Sequence, residues 1–279
     1  MQKPYIYAFA DEASAMIDGQ ISAMKRNSLD GLEIRNVDGV NISDITIEKT
    51  KEVRHKLDDS GLIVWPLGSP IGKIGLDKAE FQAHLDKFKH TLEIGDILGA
   101  KNIRLFSFYI PKDRPAEDYR GEVFDRMGAL IEAAKGSGIA LCHENEKGIY
   151  GDIASRCLEL HKTFPELKCV FDPANFIQCG QETLEAWEQL KPYVHYLHIK
   201  DCLADGRVVP AGHGIGHLSE ILSDYLNVPG KSVTIEPHLK VFAGFAELEQ
   251  GNAKLDDFSY PTNDAAFDAA CDAFRKIIA

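Results

Sequence analysis

Residues 139–146, IALCHENE, pass from an apolar run into a knot of polar side chains, and the same change recurs in KCVFDPAN at 168–175, YVHYLHIKD at 193–201 and SVTIEPH at 232–238. Each apolar run has the length of a fully buried strand, and Glu144, Asp172, His198 and Glu236 mark where the strands end. As parallel strands of one closed barrel, the four segments would bring these residues together at the C-terminal rim. Three carboxylates and one imidazole there suit a single divalent metal ion.

Parallel strands need crossover connections, so this reading requires a helix between successive strands and further strands to close the ring. The chain supplies both. Strand-like segments cover 5–10, 31–35, 62–67 and 102–108, then 138–144, 167–172, 195–200 and 232–236. Helical spacing separates them, as in Phe81, Leu85, Phe88 and Leu92, or Val123, Met127, Leu130 and Ala134. A last helix over 264–278 sets Phe267, Ala270, Phe274 and Ile278 on one face, and Pro165 stops the helix after the fifth strand. Eight such units without a Pro-, Gly- or Ser-rich linker predict an α/β protein, one (β/α)8 barrel domain over residues 1–279. The alternative, an open sheet, would spread the four polar residues too far apart to share an ion.

At 279 residues and 44% hydrophobic content the chain can bury a large core. Its formal net charge of -12 argues against nucleic acid or an anionic membrane as partner, since both want a basic surface. Six cysteines without CxxC spacing read as reduced thiols in a cytoplasm. No signal-peptide core or membrane-length apolar run is present. The expected partner is a small sugar or polyol, and the sequence leaves a homo-oligomer open. The expected cofactor is one divalent ion, Mn²⁺, Mg²⁺, Co²⁺ or Zn²⁺, with coordination positions left for vicinal substrate oxygens.

The stretches IALCHENEKGIYGD, VFDPANF, YLHIKD and TIEPH resemble the strand ends of the xylose-isomerase-like TIM-barrel superfamily of sugar isomerases and epimerases, which also holds tagatose epimerases, inosose dehydratases and endonuclease IV. The resemblance runs through all eight units. It implies that Glu144, Asp172, His198 and Glu236 are metal ligands and that Glu144 and Glu236 double as the acid/base pair on opposite faces of the substrate. The implied activity is ketose isomerisation or epimerisation by proton abstraction next to a metal-bound carbonyl. An inosose-type dehydratase and a non-catalytic sugar- or metal-binding barrel are the alternatives.

One departure bears on mechanism. Many relatives carry a histidine three residues after the strand-six aspartate, and this chain has Asn175, which can hydrogen-bond a substrate but cannot exchange a proton near neutral pH. Glu146 is the candidate to supply the missing polar function, or else a salt-bridge partner. Endonuclease IV fits poorly, because the loops after strands three and four read LGSP and FSFYIP without histidines, and Ala211 stands where the acidic neighbour of His213 is expected.

Further candidate substrate contacts follow from rim placement. Glu33 and Arg35 share side-chain parity at the end of strand two. Lys73, Lys147, Lys200 and Arg207 are cations able to hold a hydroxyl, carboxylate or phosphate. The loop AGHGIGH from Ala211 is a tight turn or a phosphate cradle. Trp65 and Tyr150 are aromatic enough to stack on a sugar, or pack the rim. Two loops are lid candidates: 67–73, and 238–263 with Phe242, Phe245, Phe258 and Tyr260.

Overall fold

The computed structural model describes residues 1–242 and 260–279, and each of the eight predicted strands is present in it. They are β1 (Tyr5–Ala8), β2 (Gly31–Ile34), β3 (Ile63–Gly68), β4 (Asn102–Leu105), β5 (Ala140–Glu144), β6 (Lys168–Phe171), β7 (Val194–Ile199) and β8 (Ser232–Ile235). Sequential neighbours pair in parallel, and β1 closes the ring by pairing with β8 from Tyr5↔Ser232 to Ala8↔Ile235 and with β2 at Tyr7↔Gly31. The helices are α1 (Ile17–Arg26), α2 (Ile47–Ser60), α3 (Lys78–Leu98), α4 (Arg120–Ala134), α5 (Ala154–Thr163), α6 (Pro173–Gln178), α7 (Thr183–Leu190), α8 (Leu218–Tyr225) and α9 (Asn263–Ile278). The architecture is the expected (β/α)8 barrel. Among the described residues no helix is long and apolar enough to cross a membrane.

Side chains alternate across a strand, so a residue two before a ligand shares its inward direction. Cys142, Val170 and Tyr196, two before Glu144, Asp172 and His198, form a small buried cluster with Trp65, separate from the larger core between strands and helices. Tyr7 stacks on Trp65 at 5.1 Å. These side chains floor the barrel beneath the ligands, and Trp65 belongs to that floor. Tyr150 is fully buried, with its hydroxyl donating to Glu159.

The strand ends differ from the sequence reading where turns take over. β1 stops at Ala8 because Ala10–Glu12 wind into a 3-10 turn, which buries Asp11 and Glu12 and sets the start of α1 at Ile17. After β6 the short α6 precedes α7. It is capped by Asp172, whose side chain accepts from Asn175 N, and it carries proline in its first turn.

The loop after β3 is pinned. Phe106 N donates to Ile71 O at 2.8 Å, Ser69 Oγ to Arg104 O at 2.5 Å, and Gly72 N to His84 Nε2 at 2.8 Å. His84 is a neutral acceptor, its pKa lowered to about 4 chiefly by burial, with Lys87 and Arg126 adding to it. Gly72 has φ +88°, and a Cβ there would lie 1.9 Å from Phe106 O. Of the second lid candidate, Phe245 and Phe258 lie outside the described residues. Phe242 is buried against Arg35, 4.9 Å from its ring centroid, and Lys240 donates to Tyr260 O at 2.9 Å.

Gly72→Ala should therefore cost about 2–4 kcal/mol, from forced left-handed backbone plus a clash with backbone oxygen. Gly121→Ala, in the first turn of α4 with open space around it, should be neutral or stabilise by up to about 1 kcal/mol. Urea unfolding of both variants checks this; equal stabilities would contradict the pinned-loop account.

Candidate metal centre

Four strand ends deliver Glu144, Asp172, His198 and Glu236 to one point, where one ligand atom from each lies within 4.8 Å of the others. All four residues are buried. His198 Nδ1 is 2.9 Å from Glu144 Oε1, 3.2 Å from Glu236 Oε2 and 3.9 Å from Asp172 Oδ2. Its other nitrogen, Nε2, lies 3.1 Å from Glu33 Oε2, and the Tyr196 hydroxyl donates to Glu33 Oε1 at 3.0 Å.

A carboxylate only accepts hydrogen bonds, so both ring nitrogens of the ion-free His198 carry protons. Burial disfavours that charge, but Glu144 and Glu33 outweigh it and raise the pKa well above the ordinary imidazole value. An ion bound at Nδ1 would replace one proton with a larger positive charge, and Glu33 would keep hold of Nε2–H and so fix the ring. Glu33 thus lies behind His198, fully buried.

The other ligands are held just as firmly. Asp172 spends Oδ1 on Asn175 N at 2.9 Å as a helix cap, which leaves Oδ2 for the cluster. Asn145 ties β5 to β6 by bonding Asp172 N and Asp172 O, both at 2.9 Å. Asn175 Nδ2 donates to Asn145 O at 2.9 Å and approaches Glu144 Oε1 at 3.3 Å. Burial, with Glu236 and Glu144 nearby, pushes Asp172 up to about 7 although Lys200 opposes it. Glu144 shifts the other way: burial would raise it, but His198 and Arg104 bring it below the carboxylate range.

Glu144 Oε2 and Asp172 Oδ2 are buried and receive no well-aligned hydrogen bond, although Arg104 and Lys200 stand 3.1 and 2.9 Å away. Two carboxylate oxygens with ion-pair neighbours but no aligned hydrogen bond, in a set of three carboxylates and one imidazole within reach of one centre, fit a divalent cation in an oxygen-rich sphere. The four residues form a metal-coordinating site, suited to Mn²⁺, Mg²⁺, Co²⁺ or Zn²⁺.

Around this site lies a charge network of which only part was expected. Arg35 reaches Asp11 at 2.9 Å, Glu12 at 3.1 Å and Glu236 at 3.4 Å. Lys200 bridges Asp172 at 2.9 Å and Glu236 at 3.2 Å, and Lys73 meets Glu146 at 2.9 Å. Arg207 pairs with Asp205 in the hairpin of Asp201–Cys202 and Val208–Val209. Asp11, Glu12, Arg104 and His238 were not singled out from the sequence. A cation inside the apolar strand NIRLF, and two acids directly after YIYAFA, were the available signals, because a buried charge demands a partner. Glu12, Glu236 and His238 also gather within ligand distance, but the Arg35 guanidinium already serves both glutamates. The loop after β7 turns its glycine N–H groups onto Asp201, which accepts from Gly212, Gly214 and Gly216.

The family model described as xylose isomerase-like TIM barrel matches residues 21–238. No curated protein matches the chain significantly by sequence. Among solved structures, it is similar to a probable 3-DHS dehydratase involved in petrobactin synthesis from Bacillus anthracis (TM-score 0.72, 17% identity, covering 98% of this chain and 99% of that one). It is also similar to 3-keto-D-glucoside 4-epimerase from E. coli (TM-score 0.69, 18% identity, 99% of each chain). A third is D-allulose 3-epimerase from Methylomonas sp. in complex with D-allulose (TM-score 0.74, 15% identity, 100% of this chain and 97% of that one).

Because an ion displaces the Nδ1 proton, apparent Mn²⁺ or Zn²⁺ affinity should rise by up to about tenfold per pH unit as pH increases toward the raised His198 pKa. Titrations between about pH 6 and pH 8 should show that slope, with about one ion per chain; a pH-independent constant would rule out His198 as a ligand. Glu33→Gln, which leaves every ligand in place, should weaken the ion about 10–100-fold, and wild-type affinity in that variant would remove Glu33 from the assignment.

Proposed function

The chain belongs to the xylose isomerase-like TIM barrel family, and from that membership we propose that it is a divalent-metal-dependent isomerase or epimerase of a polyhydroxy ketone, working by proton abstraction next to the carbonyl. The observation that carries this reading is the convergence of Glu144, Asp172, His198 and Glu236, with two glutamates arriving from β5 and β8, well separated around the ring. Two of the similar structures, the 3-keto-D-glucoside 4-epimerase and the D-allulose 3-epimerase, agree with it.

The proton next to a ketose carbonyl is too weakly acidic to leave unaided. A bound divalent ion supplies Lewis-acid withdrawal of charge from the carbonyl oxygen. The chain's own residues handle the proton. Glu144 and Glu236 approach a substrate from different sides, so one, ionised, takes the proton and the other, carrying a proton drawn from solvent, gives that proton to the opposite face.

The glutamate that takes the proton must be ionised, a form the protein offers at both, so the one that gives a proton first takes one up from solvent. Burial would raise Glu236, but Lys200, His238 and His198 hold it well below the carboxylate range. That makes it a weak base, and placement against the reacting C–H offsets the deficit. Asn175, beside Glu144, suits a substrate hydroxyl and leaves the proton to the glutamates. Arg35, Lys200, Lys73 and Glu146 complete the substrate-facing set, and Glu33 acts through His198. All six cysteines are free thiols, which supports a reducing cytoplasm as the working compartment.

In D₂O the metal-loaded protein should place solvent deuterium at the carbon next to the carbonyl of a converted ketose, giving an isomer or epimer. Loss of water instead would identify a dehydratase. Glu144→Gln and Glu236→Gln, each reloaded with metal, should lose about 10²–10⁴-fold in kcat with the fold intact. Near-wild-type kcat in either would sink the two-glutamate mechanism.

A further inference from the structure

We propose that this site admits uncharged polyhydroxy ketones and rejects phosphorylated or carboxylated ones, with Glu146 as the specificity-determining residue. The inference rests on the reading of the site as one for such ketones and concerns which of them enter.

A site built for a phosphate or carboxylate keeps a cation, or a cradle of backbone N–H groups, uncommitted for it. Among the described residues, four cations of this mouth are committed to carboxylates. Arg35, Arg104 and Lys200 are at most 4% exposed and each meets a carboxylate within 3.1 Å: Asp11 for Arg35, Glu144 for Arg104, Asp172 for Lys200. Lys73 is the more accessible cation at 10% exposure, and Glu146, at 12%, meets it at 2.9 Å. Glu146 is itself fixed, since its second oxygen accepts from Lys147 N at 2.8 Å. Lys73 Nζ also lies 4.5 Å from the Phe106 ring centroid, so the lysine is seated by an aromatic face and neutralised by an acid.

The glycine-rich loop after β7 offers no vacant cradle either. Asp201 accepts from Gly212 N at 2.9 Å, Gly214 N at 3.0 Å, Gly216 N at 2.9 Å and Cys202 N at 2.9 Å. The backbone closes so tightly on this carboxylate that a Cβ on Gly214 would meet Asp201 Oδ1 at 2.2 Å. A phosphate arriving there would face an anion where it needs donors. In the sequence of 243–259, Lys254 stands against Glu247, Glu249, Asp256 and Asp257, so that stretch brings no surplus of positive charge.

Away from the ion itself, an anionic group on the substrate must therefore break one of these ion pairs or lie against carboxylates, and both raise its dissociation constant. Of the pairs, Lys73–Glu146 is the most exposed, and removing the charge of Glu146 frees a cation at the mouth.

The test measures dissociation constants of a panel of ketohexoses, their 6-phosphates and the matching 6-carboxylates with the metal-loaded protein. Wild type should bind the uncharged member at least about tenfold more tightly than either anion. Glu146→Gln should shift that ratio about tenfold toward the anions, and the double variant Lys73→Met/Glu146→Gln, which has no freed cation, should shift it back. Equal or tighter binding of an anion by wild type, or a ratio unmoved by Glu146→Gln, overturns the proposal. Deuterium exchange on the same ligands is a separate readout. An uncharged ligand that binds selectively but never exchanges sinks the proton-abstraction reading and leaves the selectivity inference standing.

Discussion

Asp172, Glu144 and Glu236 are buried within a few ångströms of one another, and three carboxylates are held this way only if positive charge is interleaved among them. His198 stands between them, Lys200 joins Asp172 to Glu236, Arg104 covers the far oxygen of Glu144, and Arg35 reaches Glu236 from β2. The cluster gathers charged groups from β2, β4, β5 and β7 and from the residues that directly follow β1, β2, β6, β7 and β8. Without the closed ring these side chains would not meet. Without the charges, the rim would bury polar groups with no compensation.

Phe9 mediates between the two halves of this network. Its ring lies 4.3 Å from the Arg35 guanidinium carbon and 5.1 Å from that of Arg104, and meets the His198 ring edge-on at 5.3 Å. The cations and the central imidazole are thus packed through one aromatic face, and this packing limits how far either arginine can swing toward an incoming ligand.

Barrel and ligands were legible in the sequence for one reason: parallel strands buried on both faces read as apolar runs, and a polar residue closing several equivalent runs stands out. Parity also identified Glu33 and Arg35 as sharing the inner face. It could not give their depths, which place Glu33 beneath His198 and Arg35 beside Glu12, with a register shift in the β2–β3 pairing between Leu32 and Ile34. Asp11 and Glu12 directly follow the first strand, and only the 3-10 turn after β1 turns them inward. His238 sits at φ +47°, a left-handed turn that carries its ring to Glu12, and no local pattern announces such a turn at histidine. The glycine loop was ambiguous because the residue it wraps, Asp201, is distant in sequence from its glycines.

The central claim is that one divalent ion is held by Glu144, Asp172, His198 and Glu236, with the Nδ1 face of the imidazole toward it. Anomalous diffraction from crystals soaked in Mn²⁺ tests it most directly. The account predicts a single strong peak about 2.0–2.3 Å from His198 Nδ1 and from one oxygen of each carboxylate, with Nε2 still against Glu33. A peak centred instead among Glu12, Glu236 and His238, or no peak within reach of His198, would contradict it.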